Sequence, residues 1–241
     1  MKIRSHYITI RSAYNEAELS RRRLELLRQI TIPCLAAQSP DVVLSVVIAE
    51  RDPLLAERKA LFESTGLQCQ FIERPPAALP VTMDNVIGCD QWQIPAGVPT
   101  LVMRLDDDDA IVNDYCQATR DYAEAHAEIG TVYIWPNGYL KLRDKSGKWR
   151  LRQMRHKTNM FCTLFTDKGE SPQDESHYSI VKRRPVTFVN NRRGWLWLRH
   201  PDTCSDELVK RCWQGQFEPF PKHATDWAID LKEAPETWTS N

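Results

Sequence analysis

The sequence has no CxxC pair and no Cys/His run at zinc-ligand spacing, although it contains seven cysteines among its 241 residues. A structural zinc site is therefore not expected. The cysteines are odd in number and scattered (Cys34, Cys69, Cys89, Cys116, Cys162, Cys204 and Cys212), which reads as free thiols in a reducing compartment. The amino terminus, MKIRSHYITIRS, holds no apolar stretch long enough for a signal peptide or a membrane span. A cytoplasmic protein without a transmembrane segment is the expectation. Net charge is also missing, with 32 basic residues against 32 acidic ones, so disorder by charge excess is excluded. No internal repeat and no obvious linker divides the chain, and one domain over residues 1–241 is expected.

What the chain does have is apolar material. Hydrophobic residues make up 42% and aromatic residues 9%, with eight tryptophans, enough for the core of one large α/β domain. Its charges are unevenly placed. Residues 139–200 carry 15 Lys and Arg against five Asp and Glu, a surface that could face a phosphate-bearing partner or simply be solvated.

The order of elements points to a parallel sheet. HYITI (6–10) is a short β-rich run, and AELSRRRLELLRQITIPCLAAQ repeats Leu19, Leu24, Leu27 and Ile30 near helical spacing until Pro33 closes or kinks it. DVVLSVVIAE (41–50) is the near-continuous β-branched run of a strand covered on both faces. A helix follows, with Asp52 as N-cap, Pro53 in its first turn and Gly66 as its stop, and then the strand LQCQFIER. Such β-α-β-α-β order implies crossover helices on a parallel sheet. VTMDNVIGCDQWQI reads as a helix, TLVMRL (100–105) as a buried strand, and NDYCQATRDYAEAHAEIG as a helix between Asn113 and Gly130. Beyond it TVYIWPNGYLKLRDKSGKWRLRQM reads as antiparallel strands with turns at Asn137-Gly138 and Lys145-Ser146-Gly147. Residues 158–177 read as a polar loop, and a further helix is expected near 205–213.

Chemistry concentrates in LDDDDA. Asp106, Asp107, Asp108 and Asp109 follow TLVMRL at a strand's carboxyl end, where open α/β sheets bind ligands. Four adjacent carboxylates repel, so a partner must offset them. A strand-end D-x-D suits a hard divalent cation, with Asp106 and Asp108 on one side under strand alternation. The plainer reading has Asp109 and Asp114 favouring the next helix's amino terminus.

MRLDDDDAI, RRLELLRQITIPCLAAQS and GWLWLRHPDTCSD, in this order across roughly residues 8–206, resemble the rhamnosyltransferase family, whose members are nucleotide-sugar glycosyltransferases of the GT-A fold. The resemblance implies a Rossmann-like, mostly parallel central sheet flanked by helices, with a smaller antiparallel acceptor-side part. Residues 1–130 would then form the nucleotide-sugar-binding half and residues 131–241 the acceptor-binding half. It implies Mn²⁺ or Mg²⁺ as cofactor, held by Asp106, Asp108 and His200, with Asp106 also meeting the ribose. Arg11 and Asp52 would meet the nucleotide, and Arg104 the diphosphate or the acidic run.

Inverting transfer also needs a general base. Asp167, Glu170, Asp174 and Glu175 are the candidates, and Asp167 or Glu170 is favoured because each follows the β-like run FCTLF. His156 and His177 have no partner at ligand spacing, so structural roles are expected, while Trp135, Trp195 and Trp197 either pack the core or stack on a sugar or base. The acceptor is a glycan or, given the basic 139–200 region, a modified nucleobase in phage DNA. Two other classes stay open: a metal-dependent nuclease or phosphatase using the aspartates, and a non-catalytic binding protein.

Overall fold

The computed structural model describes residues 2–75, 92–126, 128–143, 149–189, 192–199 and 226–231. Residues 81–91 of the helix expected over 81–94, the turn at Lys145-Ser146-Gly147, the helix near 205–213 and His200 lie outside the described residues, and the described end of that segment, 92–94, is not helical.

The run DVVLSVVIAE forms β2 (Val42–Ala49), in which every residue is buried. Its burial follows from its place in a seven-stranded sheet between β1 (Ser5–Arg11) and β3 (Gln68–Arg74). Next to β1 on the other side is β4 (Ala96–Asp106), and these four strands are parallel. The described order β3-β2-β1-β4 reverses its direction of growth at β1, so the crevice between the carboxyl ends of β1 and β4 is the topological switch point.

Helix α1 (Ala17–Leu26) and α2 (Ile32–Ala36) are joined by a π-helical turn, Leu27–Thr31. Pro33 stands in the first turn of α2 and has no N–H to donate, so the helix widens before it rather than stopping. Helix α3 (Leu55–Glu63) is followed by Gly66, whose φ of 75° is the left-handed conformation a helix stop favours. Beyond β4 come the short β5 (Ala110–Ile111) and α4 (Tyr115–Ala125).

The second half differs from the sequence reading in two ways. Residues 158–177 are not a loop throughout: β9 (Thr163–Lys168) inserts antiparallel between β4 and β6 (Val132–Ile134). Helix α5 (His177–Arg183) then leads to β10 (Val186–Phe188), which pairs parallel with β6. Asn137-Gly138 is not a turn either. It opens β7 (Asn137–Arg143), which leaves the large sheet and pairs antiparallel with β8 (Trp149–Arg155) in a second, four-stranded sheet of order β5-β11-β7-β8. There β11 (Arg193–Arg199) runs antiparallel to β5 and parallel to β7.

Glycine at 138 serves packing: a Cβ there would run into the indole of Trp195, as one on Gly194 would meet Trp135. Trp195 stacks on Phe161 at 5.0 Å, and Trp135 on Tyr115 at 4.6 Å. Both indoles are fully buried, with Trp195 Nε1 donating to the Trp135 carbonyl and Trp135 Nε1 to Thr119 Oγ1. They are core residues, not sugar platforms. The shared apolar cluster joins Ile8, Ile10, Met103 and Leu105 of the large sheet to Trp195, Leu196 and Leu198 of the small one. Among the described residues no helix is long and apolar enough to cross a membrane.

Candidate active site

The four aspartates occupy four different environments. Strand alternation ends at Asp106, because the Asp109 N–H bonds back to the Asp106 carbonyl and closes a turn. Asp106 lies on the sheet face that carries Arg104 and Arg11, since the register sets Arg11 beside Asp106 and Thr9 beside Arg104. Its side chain is partly open, with Arg104 Nη2 at 3.4 Å. Asp107 is on the opposite face, where α1 packs, and is fully enclosed. Ser12 Oγ donates to it at 2.6 Å, the Tyr14 hydroxyl at 2.8 Å, and Arg23 Nη2 forms a short ion pair. Asp108 pairs at 2.7 Å with Nη1 of the same arginine. Asp109 turns toward the small sheet, accepting the Leu198 N–H at 2.9 Å, while Thr31 Oγ1 from the π turn donates to its backbone carbonyl. Burial, then repulsion from Asp108 and Asp106, raises the Asp109 carboxyl well above the usual carboxylate range. Asp109 therefore does not cap α4, and Asp114 at that N-cap makes no side-chain capping bond.

Arg23 is the partner the sequence reading missed. A detectable signal existed: within SRRRLELL, position 23 shares a helical face with Leu19 and Leu27, an apolar stripe where an arginine needs a buried partner. Its guanidinium also donates from Nε to the Tyr14 hydroxyl at 2.7 Å and lies 5.4 Å from that ring's centroid. Burial opposes its charge, but Asp107 and Asp108 more than offset this and hold its pKa above the ordinary value.

Asp52, at the end of β2, accepts from Arg58 Nε at 2.6 Å, Ser20 Oγ at 2.5 Å and the Leu54 N–H at 2.9 Å. Its side chain and that of Arg58 are fully enclosed, so its oxygens face protein donors rather than an open crevice. Arg58 Nη1 continues to Ser12 Oγ at 3.0 Å. One network thus ties the ends of β2, β1 and β4 together.

On the opposite face Arg11 and Arg104 lie together. Arg11 Nη2 donates to the Gln173 carbonyl at 2.7 Å, yet the Nε atoms of both arginines and Gln173 Oε1 are buried without a hydrogen-bond partner. Burial first, then repulsion from Arg104, lowers the pKa of Arg11, with Asp106 and Asp174 partly compensating. Two converging guanidiniums with unused donors form a site that an anion would satisfy.

The favoured bases are not brought here. β9 pairs Thr166 with Thr100 and Lys168 with Ala96, so Asp167 flanks the amino-terminal part of β4, opposite the acidic run. Glu170 accepts two bonds from Arg184, at 2.8 and 3.1 Å; burial raises its pKa, but these bonds outweigh that and leave it lowered. After Gly169 (φ 72°) the chain doubles back along β1, where Ser171 Oγ meets Thr9 Oγ1 at 3.0 Å and Gln173 Nε2 donates to the Thr9 carbonyl. Asp174, Glu175 and His177 therefore follow toward the carboxyl ends of β1 and β4. Asp174 accepts from Trp92 Nε1 and the Ser171 N–H, whereas Glu175 has only long contacts, to Arg183 at 3.3 Å and Arg184 at 3.7 Å. His177 is depressed to about 4 by burial, then by the charges of Arg104 and His156, with Asp106 opposing. His177, assigned an ordinary role from sequence, thus lies near both Arg104 and His156. Among the described residues, no three His, Cys, Asp or Glu side chains form a metal-holding group.

A strand-end acidic turn at the switch point of a mostly parallel sheet, with a smaller second sheet beside it, is the architecture of a GT-A-like glycosyltransferase fold. The chain belongs to the family described as Putative rhamnosyl transferase, which matches residues 5–211. Among solved structures, S. aureus TarS 1-349 in complex with UDP is similar at 10% identity and a TM-score of 0.48, covering 82% of this chain and 61% of that one. The same protein in complex with UDP-GlcNAc is similar at 10% identity and a TM-score of 0.49, covering 83% and 60%. Mouse xyloside xylosyltransferase 1 shares 15% identity at a TM-score of 0.34, covering 55% of this chain and 52% of that one. The chain spans about three fifths of the TarS 1-349 chains it matches. No curated protein matches it.

Proposed function

We propose that the protein transfers a sugar from a nucleotide-sugar donor to a hydroxyl of a glycan acceptor, with inversion at the transferred carbon. The observation that carries this reading is the pair Arg11 and Arg104, whose buried Nε donors have no partner and converge beside Asp106. A diphosphate supplies acceptor oxygens for both guanidiniums, relieves their repulsion, and leaves as the nucleoside diphosphate when the glycosidic bond to the donor breaks.

Oxygen ligands from carboxylates suit a hard divalent cation, Mn²⁺ or Mg²⁺. Asp106 and Asp108 would hold it, with His200 as the further candidate. Bound there, such an ion supplies charge neutralisation for the departing diphosphate. Asp106, in register with Arg11 at the end of β4, would also accept from the ribose. Asp52, given over to Arg58, orders the nucleotide end of the crevice through Ser12 rather than by direct contact.

For the base we turn from Asp167 and Glu170 to Glu175, in the same acidic loop. Its long ion pairs leave oxygens free to take the acceptor hydroxyl's proton as that oxygen attacks the sugar. A glycan acceptor is favoured over nucleic acid because much of the positive charge between 139 and 200 is engaged internally. Lys141 is buried, Arg184 holds Glu170, Arg192 holds Asp114, and Arg193 and Arg199 lie over Tyr139 and Trp197.

A thermal-shift screen of nucleotide sugars with Mn²⁺ or Mg²⁺ tests the reading. One donor should stabilise the chain by about 2.7 kcal/mol at 100 times its Kd. The effect should vanish with chelator and in Asp108→Asn, and weaken in Arg104→Gln. No response to any sugar nucleotide would refute the proposal.

A further inference from the structure

A diphosphate satisfies Arg11 and Arg104, but it offers nothing to the amide beside them. Gln173 is 1% exposed, and its Oε1 is buried without a partner. Arg11 Nη2 donates to the backbone carbonyl of the same residue at 2.7 Å. An unused donor, Arg11 Nε, and an unused acceptor thus belong to residues in direct contact, yet they do not bond each other. The amide cannot turn to change this. Gln173 Nε2 donates to the Thr9 carbonyl at 3.2 Å, and a flip would set two carbonyl oxygens face to face. Gln173 therefore spans Thr9 and Arg11, the residues in register with Arg104 and Asp106, which sets it at the arginine pair. Its segment is held as firmly. The Gln173 N–H donates to Ser171 Oγ at 3.1 Å, and Asp174 accepts at 2.9 Å from Nε1 of the fully buried Trp92. The Trp92 carbonyl in turn accepts from Ser45 Oγ of β2 at 2.8 Å.

We infer that Gln173 is a specificity-determining residue whose Oε1 accepts a hydroxyl or N–H of the bound nucleotide sugar. An ionised diphosphate diester has acceptor oxygens only. Bound by itself, it would satisfy the guanidiniums while shutting the Gln173 oxygen away from water, and an unmet buried acceptor is costly. A site built to meet a hydrogen-bond donor rejects the analogue that lacks one. Gln173 thereby keeps the arginine pair from being filled by anions without such a group. The donor belongs to the nucleoside or to the transferred sugar, since both flank the diphosphate. This rests on the sugar-transfer reading above and adds to it the polar group that the arginines leave unread.

Phosphorus NMR titration of the full chain compares three groups of ligands. They are symmetric dimethyl diphosphate, which carries no hydrogen-bond donor; UDP, GDP and dTDP; and the glucose conjugates of those three nucleotides. Wild type should bind at least one nucleotide or conjugate about tenfold or more tightly than dimethyl diphosphate. Gln173→Met removes the amide at similar side-chain length. It should weaken that ligand about tenfold and leave dimethyl diphosphate within about twofold. Loss already present with the nucleoside diphosphate assigns the contact to the nucleoside, and loss confined to the conjugate assigns it to the sugar. Gln173→Asn, whose amide falls one methylene short, decides by the same ratio if the methionine variant does not fold. A purely structural role would weaken all three groups together, and an amide that holds only a trapped water would change none of them. Either result overturns the inference. Absence of binding by wild type to every nucleotide and conjugate overturns the sugar-transfer reading itself, whatever the Gln173 variants do.

Discussion

Replacing Arg58 by methionine should be among the most destabilising single changes in the described structure. The side chain is wholly enclosed, and its guanidinium donates to Asp52 Oδ2 at 2.6 Å, Ser12 Oγ at 3.0 Å, Ser20 Oγ at 2.8 Å and the Ser20 carbonyl at 3.1 Å. Methionine fills most of the aliphatic volume, so little of the cost is cavity. The cost arises because the Asp52 carboxyl loses its guanidinium partner in a fully enclosed site. Removing one member of a buried ion pair costs about 3–5 kcal/mol. Ser20 Oγ and the Leu54 N–H still donate to Asp52, which places the expectation near the lower end, about 3 kcal/mol. For a domain of this size that is a fall in Tm of roughly 6–12 °C. Urea unfolding followed by circular dichroism should show a lower midpoint at unchanged slope. The double variant Asp52→Leu/Arg58→Met removes both charges and should recover most of the loss. A single variant within about 1 kcal/mol of wild type, or a double variant no better than the single, would refute the reasoning.

Gly138→Ala should lower stability by about 1–3 kcal/mol, because the new methyl meets the Trp195 indole, which cannot retreat with Phe161 stacked behind it. A drop in Tm together with altered near-ultraviolet circular dichroism would bear this out, and an unchanged Tm would refute it. His6 is held neutral, its pKa depressed to about 3 by burial and then by Arg120. The unfolded chain takes up that proton below about 6.5 while the folded chain does not. The His6 contribution to stability is thus intact above that pH and lost progressively as pH falls toward 3, at about 1.4 kcal/mol per pH unit. His6→Leu should flatten the acid limb of the stability profile between those values, and an unchanged limb would count against the assignment.

Much of the first half was legible in the chain because its signals are local. β2 is a continuous β-branched run, α3 stops before Gly66 although it starts at Leu55, with Leu54 rather than Asp52 as its N-cap, and β4 ends in the acidic turn. Arg11 and Arg104 entered through the family resemblance, and the register sets both on one face with Asp106. The misreadings share a different cause. Asn137-Gly138 has the composition of a hairpin turn, yet Gly138 answers to a tryptophan 57 residues later in the chain. Asp167 and Glu170 were ranked by what precedes them in sequence, whereas β9 runs against β4 and carries them toward its amino-terminal part. Arg23 looked like one of three consecutive surface arginines, and only the angular position of residue 23 on its helix separates it from the exposed Arg21.

The parallel pairing of β7 with β11 bears on the order in which the molecule becomes whole. β11 spans Arg193–Arg199, and its Leu198 N–H satisfies Asp109, 89 residues earlier. During synthesis the parallel strands β1 to β4 can assemble long before that donor exists, while Asp109 and the inner edge of β7 wait for it. Because contacts of such sequence separation form late and slowly, the acidic turn should be the last part of the crevice to acquire its final shape. A chain cut before β11 would keep most of its large sheet, yet it would lack one of the small sheet's two inner strands and the bond that fixes Asp109.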